Sequence, residues 1–122
     1  MVAKSIDYYK KYFDMGIKHI IIKFVLLKKI GERRMYAYSL LKDLEREPHI
    51  MFFCKDKKML KNDVYNALGS LAKEHYIRIM SISGKGKTRK YYALTAKGRL
   101  SLNGIKKDFS YAFSHMKSLL NQ

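Results

Sequence analysis

The chain has 122 residues, 48% of them hydrophobic and 13% aromatic, which suits one domain with a single core and argues against disorder. Lys and Arg number 26 against 10 Asp and Glu, so the formal net charge of +16 exceeds what solubility requires and points to a polyanionic partner. A heat-adapted Lys-rich surface would balance Lys with Glu, and here the acids are missing.

Taken in chain order, Ile6, Tyr9, Tyr12 and Phe13 fall at helical spacing and predict a short amphipathic helix ending at Gly16. Residues 17–29 form a Lys-interrupted apolar segment whose length favours a buried helix, closed by Ile30-Gly31-Glu32. Met35 to Arg46 repeats the helical pattern through Tyr38, Leu41 and Leu44, and Pro48 stops it. From Glu47 to Lys58 there is no regular period, which predicts a long connection.

Met59 to Glu74 carries the clearest helical pattern. At 100° per residue, Leu60, Val64, Ala67, Leu68 and Leu71 share one hemisphere, while Asn62, Asn66, Gly69 and Lys73 lie opposite. Tyr76 to Ile82 and Thr88 to Leu94 alternate like strands around a Ser83 to Lys87 turn, a basic β-hairpin. Thr95 can cap a last helix, on which Leu102, Ile105, Phe109, Ala112, Met116 and Leu119 follow spacings of 3, 4, 3, 4 and 3. Such a heptad seam beyond a compact domain asks for a partner.

A polar-faced helix followed by a strand, a Gly/Lys turn and a second strand, with no acid from His75 to Lys107, is the order in which a winged helix-turn-helix meets DNA. A major groove about 12 Å wide admits one helix. The face with Lys61, Asn62, Tyr65, Asn66, Gly69, Ser70 and Lys73 suits it: Asn can pair with adenine, Lys can reach phosphate or guanine, and Gly69 lets backbone approach. At the hairpin tip, Lys85, Lys87, Arg89 and Lys90 would repel one another unless a polyanion joined them.

Three motifs resemble the PadR family of winged-helix transcriptional regulators over roughly residues 17–103. Met35-Tyr36-Ala37-Tyr38-Ser39-Leu40-Leu41 is similar to the family's Tyr-Gly-Tyr-x-Leu segment, and Val64-Tyr65-Asn66-Ala67-Leu68-Gly69-Ser70-Leu71 to its Leu-Tyr-Pro-Ala-Leu-x-x-Leu recognition helix. Thr88-Arg89-Lys90-Tyr91-Tyr92-Ala93-Leu94-Thr95-Ala96-Lys97-Gly98 resembles the Arg-(Arg/Lys)-Lys-Tyr-Tyr-x-Leu-Thr-x-x-Gly of its second wing strand. The chain departs from these patterns at Ala37 and Asn66, and at His75 where a glycine usually ends the recognition helix. The resemblance implies a homodimer on an inverted-repeat operator, with N- and C-terminal helices in contact through Tyr9, Tyr12, Phe13, Leu102, Ile105, Phe109, Ala112, Met116 and Leu119. Relatives with this fold also act in plasmid or chromosome partition, replication termination and chromatin architecture, so non-specific or spreading DNA binding is the alternative.

Other constellations carry less. Ser83 to Thr88 ends like a phosphate-binding loop, but Ser81 stands where its first glycine belongs and a strand follows instead of a helix. His19, His49, His75 and His115 have no partners at metal-ligand spacing. Cys54 cannot form an internal disulfide, which places the chain in a reducing compartment by default; nearby Lys55 and Lys57 could favour its thiolate, although a small buried thiol is the simpler reading. No carboxylate pair or Ser/His/Asp set suggests an enzyme, and no metal or cofactor is implied. The tyrosines and phenylalanines are explained by packing, so a small-molecule effector has no support of its own.

The N-terminus lacks the organisation of a signal peptide, and the run from His19 to Ile30 is shorter than the roughly 20 residues that span a bilayer. The expectation is a cytoplasmic, nucleoid-associated protein without membrane contact. Its fold class is mainly α with a small β-hairpin: a winged helix-turn-helix over residues 17–95, flanked by an N-terminal helix in 1–16 and a C-terminal dimerisation helix in 96–122.

Overall fold

The computed structural model describes residues 6–84 and 86–122, with side chains from residue 15 onward except at 83, 87 and 88. The order is α1 (Ile6–Glu32), β1 (Met35–Tyr36), α2 (Ala37–Glu45), α3 (Pro48–Phe53), α4 (Lys57–Lys73), β2 (Ile77–Gly84), β3 (Lys87–Leu94) and α5 (Ala96–Leu120). The strands form an antiparallel sheet in the order β1-β3-β2.

The expected break at Gly16 does not occur. One helix of about 40 Å runs through it, because a mid-helix glycine costs only about 1 kcal/mol and the turns that follow are held by the buried Ile22, Leu26, Leu27 and Ile30. The division of the chain at residues 16 and 17 is therefore not a break in the backbone. The expected single helix from Met35 to Arg46 loses its first two residues to β1, which pairs Met35 with Tyr92 and Tyr36 with Tyr91. The stretch from Glu47 to Lys58 is not irregular throughout, since Pro48 opens α3, where its missing N–H would have been unpaired in any case. Six residues complete fewer than two turns, too few to display a period, yet α3 and its C-cap bury Ile50 and Cys54.

Helix α4 starts at an N-cap, where the Asp56 carboxylate accepts a 2.8 Å hydrogen bond from the Met59 amide. Its buried face is Leu60, Val64, Ala67, Leu68 and Leu71, as the period predicts. One charge lies on the inner side as well. Asp63 meets Lys18 of α1 at 3.0 Å, with both side chains close to 90% covered. Neither group can recover water in the folded state, so each depends on the other.

The end of α4 is set by a second polar assembly. The His75 N–H donates to the Ala72 carbonyl at 3.0 Å and the Tyr76 N–H to that of Leu71 at 2.9 Å, the bond pattern of a Schellman cap. His75 occupies the left-handed position with φ of +65°, where glycine is free of strain. Thr95 then ties this cap to α5: its hydroxyl donates to the carbonyls of His75 at 2.6 Å or Tyr76 at 3.0 Å, and accepts from the Gly98 amide at 3.0 Å. A Cβ on residue 98 would collide with the Tyr76 carbonyl, so the Thr-x-x-Gly spacing follows from the close approach of α5 to that peptide.

Two stability results are expected. Asp63→Ala should cost about 3 kcal/mol in urea unfolding by leaving Lys18 buried alone, and the paired change Lys18→Met with Asp63→Leu should recover most of it. Gly98→Ala should lower the melting temperature, whereas His75→Gly should raise stability by about 0.5–1 kcal/mol, since relief of left-handed strain exceeds the added freedom of the unfolded chain.

Candidate nucleic-acid interface

The outer face of α4 is set by its inner one. With Leu60, Val64 and Leu68 held in the core, the residues half a turn away have nowhere to go but solvent. Lys61, Asn62, Tyr65, Asn66, Gly69 and Lys73 are all exposed there. No atom lies within 4 Å of where a Cβ on Gly69 would sit, so the helix shows bare backbone at that point. Ser70 differs from the expectation: it is half-buried and lines a groove with Ile20, Phe24 and Phe109, because it is adjacent to Ala67 and Leu71 on the helix surface.

The hairpin stands beside this face. β2 and β3 pair in unbroken register from Ile77↔Leu94 to Gly84↔Lys87, and Gly86 takes the positive φ of 78° that the tip needs. Arg89 and Lys90 are exposed. Lys85, and the side chain of Lys87, lie outside the described residues.

Between α4 and β3 opens a groove of about 740 Å³, lined by Tyr36, Ala37, Tyr38, Ser39, Tyr65, Arg89, Lys90 and Tyr92. It brings together Tyr65 of α4, the two β3 cations Arg89 and Lys90, and the first turn of α2. That turn has neither a side-chain cap nor an acidic residue, so its amide donors and the positive end of its dipole are left for an anion. Burial, then the neighbouring Tyr65, pushes the Tyr92 phenol above its ordinary range and keeps it neutral. Helical spacing assigned Tyr36, Tyr38 and Ser39 to a packed segment, but Tyr38 is 68% exposed and Tyr36 pairs with Tyr91 across the sheet, which no local period reveals.

Of the residues expected to meet a partner protomer, Leu102 is instead buried in the protomer's own core, since α5 lies against α1 and β3 over its first turns. Ile105 is half-buried, and Phe109 packs on Phe24 of α1 with ring centroids 5.2 Å apart. Beyond them Ala112 is exposed, as are Phe113 at 60%, Met116 at 52% and Leu119 at 65%. Two grooves of about 360 and 340 Å³ flank the contact of Phe24 with Phe109. The side chains of Tyr9, Tyr12 and Phe13 lie outside the described residues.

The thiol of Cys54 is fully buried, and burial followed by the Asp63 carboxylate pushes its pKa up to about 11 against a smaller opposing pull from Lys18. The nearby lysines therefore do not make it a thiolate, and the packing reading of Cys54 fits. Among the described residues no His, Cys, Asp and Glu group could hold a metal ion, and no helix is long and apolar enough to cross a membrane.

The family model for the transcriptional regulator PadR-like family matches residues 26–104. No curated protein matches significantly. Among solved structures, a PadR-like transcriptional regulator from Bacillus cereus superposes with a TM-score of 0.68 at 23% identity, covering 84% of this chain and 93% of that one. PadR family regulators from Clostridium difficile and Eggerthella lenta give TM-scores of 0.67 and 0.69, at 22% and 19% identity, over 81% and 93% of this chain and 97% and 94% of theirs. At such identities the likeness is one of fold.

The raised Cys54 pKa has a measurable consequence. A neutral thiol is favoured in the folded state, so its contribution to stability is complete below about pH 9 and is lost as pH rises toward about 11. Urea unfolding from pH 8 to 11 should show a steeper alkaline loss for the natural chain than for Cys54→Ala; equal slopes would place the thiol in contact with water.

Proposed function

We propose, because this chain belongs to the PadR-like family of transcriptional regulators, that two copies of it bind one DNA duplex sequence-specifically. The observation that carries the reading is the joint exposure of the outer α4 face and of Arg89 and Lys90 on either side of one groove without an acid in its lining. Asn62, Tyr65 and Asn66 enter the major groove and read base edges. Lys61 and Lys73 contact phosphates, Gly69 admits the backbone, and Ser70 supports the helix from its half-buried position. The wing, Lys85 to Lys90, lies on the minor groove or the flanking backbone.

The dimer half of the proposal rests on α5. Phe113, Met116 and Leu119 leave a largely apolar strip open to solvent, which a second α5 covers in continuity with Ile105, Phe109 and Ala112. Tyr9, Tyr12 and Phe13 of α1 are proposed to extend this contact. Two-fold symmetry then sets two half-sites about one helical turn apart.

The net charge of +16 favours a second reading, in which the protein coats DNA with few base contacts, as in partition or chromosome architecture. Footprinting of selected genomic duplexes at graded salt separates the two. The regulator reading expects protection of a short palindrome with at least about 10³ preference over random DNA, lost in Asn66→Ala while Lys73→Ala weakens all duplexes alike. Cooperative coverage that grows with duplex length would favour coating, and a monomer by sedimentation would remove the two-fold operator.

A further inference from the structure

We propose that Tyr36 is a positioning residue for Arg89, holding its guanidinium flat at the mouth of the groove beside α4 so that its N–H edge meets a phosphodiester of the duplex; this rests on the DNA-binding reading above. Tyr36 belongs to neither the recognition helix nor the wing. It ends β1 in extended conformation, with φ of −77° and ψ of 153°, and pairs with Tyr91 of β3. Their ring centroids lie 3.9 Å apart, so the ring of Tyr36 is fixed from one side by Tyr91.

Arg89 lies two residues before Tyr91 and so shares its face of β3. The Arg89 Cζ sits 5.4 Å from the centre of the Tyr36 ring, within the distance at which a cation is drawn to an aromatic face. β1 pairs with β3 only through Tyr36 and Met35, so beyond Tyr36 the edge of β3 opens onto the groove, whose lining includes Ser39 and Tyr65. Among the described residues Arg89 has no ion pair, and the groove lining holds no carboxylate. Among the described residues, the Tyr36 ring is the group seen to engage the Arg89 guanidinium.

A guanidinium stacked on a ring keeps its in-plane donors free, and those donors match the oxygens of a phosphate. Holding it there before binding removes part of the ordering cost that a free arginine would meet on the DNA. The role requires the ring of Tyr36 but not its hydroxyl, and the plane of Arg89 in addition to its charge.

Duplex affinity measured by fluorescence anisotropy across a salt series tests this, on the natural chain and on Tyr36→Phe, Tyr36→Leu, Arg89→Ala, Arg89→Lys and the Tyr36→Leu/Arg89→Ala pair. Tyr36→Phe should bind as the natural chain does. Tyr36→Leu should weaken binding about threefold and move the salt slope toward that of Arg89→Ala, which loses about one unit. It should add no further loss in the Arg89→Ala background. An unchanged affinity for Tyr36→Leu, or an equal loss with and without Arg89, overturns the positioning role. Should Tyr36→Leu fail to fold, Arg89→Lys decides: it keeps the charge but cannot lie flat, so binding equal to the natural chain overturns the proposal. A natural chain that ignores duplex DNA instead overturns the DNA-binding reading beneath it.

Discussion

The carbonyl of Tyr76 is the point at which the molecule's parts meet. It accepts from the Thr95 amide at 3.1 Å, has the Thr95 hydroxyl 3.0 Å away, and lies so close to residue 98 that only glycine fits. Lys97 adds a 2.8 Å hydrogen bond to the Glu74 carbonyl and places its ammonium 4.5 Å from the Tyr76 ring. The end of α4, the base of the β2-β3 hairpin and the start of α5 are therefore parts of one hydrogen-bonded junction. Several directional contacts acting on one peptide fix its orientation more narrowly than non-directional apolar packing does, and those that are part-buried lose most when pulled apart. The angle between α4 and α5 is set here.

Three of the ten acids are engaged in contacts away from the groove beside α4. Asp63 is turned inward to Lys18 and to the thiol of Cys54, Asp56 caps α4, and Glu47 lies near Lys29 and His49 at 3.9 and 3.8 Å. None of these carboxylates lines the groove between α2, α4 and β3. Charge asymmetry on the surface is thus a consequence of internal architecture as well as of composition. The Asp63 carboxylate on the inner side of α4 is held by Lys18 on α1, so the pose of α4 depends on a contact remote from its exposed face.

The last helix has two characters along its length. Its first turns, through Leu102, complete the core of the protomer, and its final turns carry Phe113, Met116 and Leu119 into solvent. Heptad spacing is the same in both halves, so spacing cannot say where one role ends. Contact with α1 through Phe24 and Phe109 marks the transition, which is a property of how two helices cross.

From the chain alone, the long periodic helix at Met59 to Glu74, the alternating hairpin, the Thr95 cap and the surplus of cations were all legible, because each is written in neighbouring residues and needs no knowledge of distant ones. The exposed face of α4 followed from its buried one by geometry. Only the tertiary structure decided that α1 runs on through Gly16, that Met35 and Tyr36 leave a helical pattern to pair with β3, that Ser70 and Leu102 turn inward, and that Cys54 stays a neutral thiol. In each of these cases the deciding energy comes from a group far along the chain: buried apolar neighbours, a strand's unpaired amides, or a carboxylate brought close by folding. Local propensities differ by about 1 kcal/mol or less per residue, and such long-range contacts exceed that.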